Sequence, residues 1–165
     1  MSAERVERML SRLAYEIVER NRGATDIEIF GIERSGAFVA DALARRISAI
    51  EERPVAVHGL DVGPFRDDRD RSTLPTPRLN GDVDVTDRAV ILVDDVLFTG
   101  RTARAALDAV IEYGRPRSIQ LVVLIDRGHR EYPIQPDYVG RTYPTKHKER
   151  IVVDMDEGFV VYIEE

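Results

Sequence analysis

Two adjacent carboxylates, Asp94 and Asp95, close the apolar run Val90-Ile91-Leu92-Val93, and shortly after them comes Thr99-Gly100-Arg101-Thr102. Gly100 lets a backbone approach a ligand closely. A helix starting there would turn unpaired N–H groups and the positive end of its dipole toward an anion, with two threonine hydroxyls beside them. Carboxylates repel a phosphate at contact, so the acids must address another part of the same ligand. A ribose diol offers two adjacent hydroxyl donors to a pair of carboxylate acceptors, and a sugar phosphate satisfies both halves. A plainer reading makes Asp95 a helix N-cap, Asp94 a solvated strand-end acid and Thr99 to Thr102 turn residues. The anion cradle beside the acids weighs against it.

These side chains need a scaffold that repeats strand, loop and helix. Ala89 to Val93 reads as a strand and the stretch after Thr102 as a helix ending near Gly114. The same pattern appears earlier. Ile27 to Ile32 is a short strand, Gly31 to Gly36 a turn, and Phe38, Val39, Leu43 and Ile47 mark a helix. Pro54 to Leu60 and the β-branched run Ser118 to Ile125 supply further strands, the latter covered on both faces. Val6, Met9, Leu10, Leu13, Ala14, Ile17 and Val18 form the apolar stripe of an opening helix, with Ser2 as N-cap and Gly23 as stop. Alternation of this kind predicts an α/β fold, a doubly wound, mostly parallel sheet with flanking helices. After Asp126, short candidate strands at Tyr138, 151–153 and 159–163 suggest a small C-terminal cap with closing strands. Between Val62 and Asp87, a stretch holding Pro64, Pro75, Pro77 and Gly81 shows neither period and reads as a mobile loop or lid.

Composition narrows the chemistry. A chain of 165 residues, 43% hydrophobic, suits one domain spanning 1–165. With no cysteine there is no thiol nucleophile or thiolate metal site, so any metal is a hard cation such as magnesium on oxygen ligands. The balance of 24 Lys and Arg against 30 Asp and Glu argues against a dedicated nucleic-acid binder, although a basic face is compatible with it. No apolar run approaches the roughly 18 residues of a membrane span and the N-terminus is charged, so a soluble cytoplasmic protein is expected. A P-loop NTPase would need a G-x-x-x-x-G-K-[ST] motif, which is missing. A phosphorelay receiver would carry its acid pair on the first strand.

Val90 to Thr102 resembles the 5-phosphoribosyl-1-pyrophosphate signature of the type I phosphoribosyltransferases. With Leu124-Ile125-Asp126-Arg127-Gly128-His129-Arg130-Glu131, Asp137-Tyr138-Val139-Gly140 and Arg66-Asp67-Asp68, the chain is similar over nearly its whole length to the bifunctional pyrimidine operon regulators and uracil phosphoribosyltransferases. The resemblance implies a type I phosphoribosyltransferase fold. It implies that Asp94 and Asp95 hold the ribose hydroxyls and that Val96, Leu97, Phe98, Thr99, Gly100, Arg101 and Thr102 cradle the 5-phosphate. The turn at Glu33, Arg34 and Ser35 would meet pyrophosphate, and Arg66 would stand at the base of the mobile loop. Arg127 and Val153 would line the nucleotide and base pocket. Arg130 and Arg141, together with Ser11, Tyr15 and Gln135, would lie on an RNA-contacting surface, with Lys146 and Lys148 near. The implied ligands are 5-phosphoribosyl-1-pyrophosphate, uracil, UMP and a pyrimidine operon leader mRNA. Magnesium would be bound mainly through the substrate, with no dedicated protein metal site, and the protein would be a homodimer or a higher homo-oligomer.

Two departures from the family pattern matter at the substrate site, and two more on the RNA-contacting surface. Arg34-Ser35 stands where many relatives have Thr-Arg, so the backbone of that turn is a firmer expectation than its side chains. Phe98 stands where 6-oxopurine transferases place an acid and where the uracil family often has tyrosine. It cannot exchange a proton with a purine ring, which favours a pyrimidine. Tyr15 and Gln135 replace a histidine and an arginine of the family's RNA surface.

Overall fold

A computed structural model of the chain describes residues 1–67, 83–156 and 158–165. Its elements follow from the apolar periods. The helix α1, Ala3–Asn21, buries Val6, Met9, Leu10, Leu13, Ala14 and Ile17 along one stripe. Ser2 caps it through its carbonyl, which accepts from the Arg5 and Val6 N–H groups, and not through its hydroxyl as a side-chain N-cap would. The helix stops where Arg22 and Gly23 turn left-handed and Gly23 N–H reaches back to Val18 O.

Five parallel strands form the main sheet: β1, Ile27–Ile32; β2, Val57–Leu60; β3, Ala89–Leu97; β4, Ser118–Asp126; and β5, Tyr138–Thr142. Their order is β2-β1-β3-β4-β5. The helix α2, Ser35–Glu51, links β1 to β2, and α3, Arg101–Val110, with a 3-10 turn at Ile111–Tyr113, links β3 to β4. Side chains alternate across β3 and β4, so both faces are buried. Ala89, Ile91, Val93, Val122 and Leu124 join the core under α1 and α2, while Val90, Leu92, Leu121 and Val123 join the core that includes α3. This is the doubly wound sheet with flanking helices expected from the sequence.

Three boundaries differ from the expectation. The second strand begins at Val57 and not at Pro54: Pro54 has no N–H to donate, and the Val55 N–H donates to Ser48 Oγ at 3.0 Å instead of joining the ladder. The segment at Tyr138 is an integral strand, paired with β4 from Val122↔Tyr138 onward, and not part of a cap. Its burial comes from α1, whose Met9 sulfur lies close over Gly140. Only β6, Arg150–Asp154, and β7, Val160–Glu164, stand apart as an antiparallel hairpin that packs Ile151 and Val161 on the α1 side. Most of the expected loop, and Asp68 with it, lies outside the described residues. Its start forms a 3-10 turn at Gly63–Phe65, and Val85 near its end is buried.

Candidate active site

β1 and β3 are neighbours, yet β1 continues to β2 on one side and β3 to β4 on the other. Their carboxyl ends therefore border the switch point where open α/β sheets bind ligands. Each strand also turns straight into a helix, β1 through Glu33 and Arg34 into α2, and β3 through Phe98, Thr99 and Gly100 into α3. Two helix N-termini, each with N–H groups lacking intrahelical partners, thus flank one strand end that carries acids.

Glycines allow the close approach. A Cβ on Gly36 would lie 2.5 Å from Val93 O and 3.1 Å from Asp94 Cα, so α2 starts directly against the acidic end of β3. Gly100 has φ +89° and lies under Ile134 and the Tyr132 carbonyl, where a side chain would be strained. The Thr99 carbonyl accepts from the Glu131 and Tyr132 N–H groups, so the segment after β4 supports this turn.

The result is a cavity of about 530 Å³ walled by Glu33, Arg34, Ser35, Asp61, Arg66, Asp94, Asp95 and Thr102. A second, of about 280 Å³, follows the turn from Val96 to Ala103 and shares Arg66, Asp94, Val96 and Thr102 with the first. The sequence-predicted pyrophosphate turn, acid pair, loop-base arginine and phosphate cradle therefore meet in one place.

The two acids are not equivalent. β3 continues through both, and Asp94, expected to face solvent, is only 8% exposed. Burial, with repulsion from Asp95 second, holds its carboxyl well above the usual carboxylate range. Asp94 Oδ1 accepts the Asp95 N–H at 2.9 Å, and Asp95 Oδ1 accepts the Val96 N–H at 2.8 Å. These bonds aim both side chains along the strand end.

Arg66 donates to Thr102 Oγ1 at 2.9 Å, tying the loop base to the cradle. Arg101 is the first residue of α3, and its guanidinium turns away from the turn expected to cradle a phosphate. It donates to Glu131 at 2.8 Å, Asp67 at 3.1 Å and the Tyr132 hydroxyl at 2.7 Å, and it lies 4.6 Å from the centre of that ring.

Arg127 is only 6% exposed and is no surface ion pair. It donates to Thr145 Oγ1 at 2.9 Å and to the Lys146 carbonyl at 3.2 Å, and its guanidinium lies 3.9 Å from the centre of the Phe98 ring. His129 and His147 complete this cluster, each 5.8 Å from Phe98 and 5.3 Å from one another between ring centres. Reasoning from sequence did not single out either histidine, although His129 lies inside the quoted Asp126 to Glu131 motif. Val153 packs against the core under α1 and α2 and lines neither cavity.

Arg130 forks onto Asp126 at 2.6 and 2.9 Å and also donates to the Phe98 and Ile134 carbonyls, so its donors are directed into the protein. Burial alone would raise the Asp126 carboxyl, but the Arg130 hydrogen bonds and the Gly128 N–H outweigh it and leave it below the usual range. Arg141, Gln135, Ser11 and Tyr15 are exposed, as are Lys146 and Lys148.

Residues 2–157 match the phosphoribosyl transferase domain family. The chain belongs to the phosphoribosyl transferases. Among curated relatives, the bifunctional protein PyrR of Latilactobacillus sakei is 49% identical over 156 residues, covering 92% of this chain and 87% of the relative. That of Bacillus subtilis is 47% identical over 161 residues, covering 95% and 89%. This transferase also shares its fold with a hypoxanthine-guanine phosphoribosyltransferase of Bacillus anthracis, at TM-score 0.69 and 20% identity, covering 92% of this chain and 85% of the other. Among the described residues no helix of the transferase is long and apolar enough to cross a membrane.

Proposed function

We propose that this transferase converts uracil and 5-phosphoribosyl-1-pyrophosphate to UMP and pyrophosphate, acting as one catalytic domain over 1–165. The observation that carries the reading is the neutral platform of Phe98 under Arg127 beside an intact acid pair and phosphate cradle. Arg127 can donate to a carbonyl oxygen of a pyrimidine, and Phe98 offers no acid to a purine ring.

Asp94 and Asp95 hold the ribose hydroxyls, and the backbone of Val96 to Thr102 holds the 5-phosphate at the start of α3. Ser35 and the first turn of α2 receive the pyrophosphate, with Arg34 and Arg66 on the same wall. As the bond from C1 to pyrophosphate breaks, positive charge grows on the ribose and negative charge on the leaving group. The acid pair and the helix N-termini lie on the matching sides, so catalysis is electrostatic and positional.

Magnesium suits this wall. Among the described residues no group of three or more His, Asp or Glu side chains could hold a metal by itself, while Asp94 and Asp95 offer oxygens beside the ribose and pyrophosphate. The ion would neutralise the leaving group.

The relatives are named bifunctional, and the second activity we propose, from the resemblance of the sequence motifs, is binding of pyrimidine operon leader mRNA by a basic surface of a cytoplasmic homo-oligomer, tuned by the bound nucleotide. Arg141 is the exposed cation that best suits such a surface, whereas Arg130 serves it through the fold.

Release of pyrophosphate that depends on uracil, measured with hypoxanthine, guanine and orotate as controls, tests the base assignment. Uracil is expected to be the best substrate, and equal turnover of hypoxanthine or guanine would refute it.

A further inference from the structure

Joining uracil to the ribose raises a question that Phe98 leaves open. The N1–C1 bond forms as the C1–O bond to pyrophosphate breaks, and the proton on N1 must leave the ring. Asp94 and Asp95 are taken up by the ribose hydroxyls in the proposed reading, at the strand end and away from the ring of the base. Phe98 has no proton to exchange, and Arg127 is a permanent cation that cannot accept one.

We propose that His129 accepts the N1 proton of the base. The base must lie beside C1, between the acid pair and the cradle, and so next to the Phe98 side chain that projects there. Among the described residues, the imidazoles in ring contact with Phe98 are His129 and His147. The two differ in one respect. His129 Nε2 lies 2.6 Å from the Thr145 carbonyl, an acceptor only, so Nε2 carries the hydrogen and Nδ1 keeps its lone pair. The hydrogen bond to Thr145 orients this ring, and His129 itself has φ +64°, a conformation that histidine tolerates better than most residues. The electron pair of the N1–H bond stays on the ring and forms the bond to C1, pyrophosphate departs with the C1–O pair, and imidazolium passes its proton to solvent, to which His129 is exposed.

The charged and titratable groups around it are Arg127 and the Asp126–Arg130 pair on its own segment, and His147, Lys146 and Glu149 on the turn packed against it. The Phe98 to Thr99 side contributes no titratable group.

The inference rests on uracil being the base, and the test separates the two. Steady-state kinetics of the full chain would compare wild type with His129→Asn, which tolerates the left-handed backbone but is not a base, and with His147→Gln. Substrates would be uracil and 5-fluorouracil, whose fluorine makes N1–H more acidic and lessens the need for a base. His129→Asn is expected to lower kcat on uracil by about 10²-fold or more. Its KM for the activated sugar and its thermal midpoint should not change, and the loss should be several-fold smaller with 5-fluorouracil. Equal losses on both bases, an unchanged kcat, or the same signature in His147→Gln instead would overturn the assignment while leaving the uracil reading intact. A wild type inactive on uracil would remove that reading first and the inference with it.

Discussion

The residues of the acid pair place binding and stability in opposition. Asp94 is buried against Asp95, and its carboxyl is raised in the folded state. A raised carboxyl favours folding below the ordinary carboxylate range, and that contribution is lost as pH rises through the folded value. Asp94→Asn removes the charge without the volume. The variant is expected to melt higher than wild type near neutral pH, by about 2–4 °C for each kcal/mol relieved, and to lose this advantage in acid. Its turnover should fall strongly because the ribose clamp is incomplete. Calorimetry across a pH series together with the pyrophosphate assay checks both, and a variant with full activity would remove Asp94 from the clamp. Arg130 makes the opposite case. Its fork joins Asp126 to the Phe98 and Ile134 carbonyls, so Arg130→Gln should lose about 1–3 kcal/mol of stability in urea unfolding. An unchanged midpoint would leave its side chain available for a surface role.

Among the elements, the junction of α2 with β3 determines whether the site exists. Gly36 is the first-turn residue that touches Val93 O and Asp94 Cα. Gly36→Ala has to push the helix start away from the strand, a displacement expected to cost about 1–3 kcal/mol. Because the same displacement widens the gap between the pyrophosphate turn and the acid pair, the KM for the activated sugar should rise. Retention of both wild-type stability and KM would show that the helix start yields without affecting the site. The equivalent turn at Gly100 is braced by Glu131 and Tyr132 on the Thr99 carbonyl, which makes the segment after β4 part of the cradle.

For the whole molecule, a net charge of −6 means that any RNA affinity comes from a local face. Arg141 is exposed on β5, with its guanidinium 5.8 Å from the Tyr143 ring centre. If it contacts phosphate, Arg141→Ala should lower the slope of log affinity against log salt by about one. Filter binding to leader RNA with UMP present, across a salt series, measures this. Affinity no better than for scrambled RNA would leave the transferase activity alone.

The sequence by itself determined the elements whose periods are local and the cluster whose members are consecutive. The Ile27 to Ile32 strand, the α1 stripe and the run from Val90 to Thr102 were all legible because neighbouring residues carry the signal, and the turn into α3 at Gly100 was legible from the glycine between two threonines at one strand end. Only the tertiary structure decided what depends on distant partners. Asp94 became a buried acid because α2 starts against it at Gly36. Tyr138 became a sheet strand because α1 covers it. Arg127, separated from Phe98 by the whole of α3 and β4, came to lie on that ring, and His129 and His147 joined them from two turns. Burial and stacking are set by chain segments far apart in sequence, and no local period records which segments will meet.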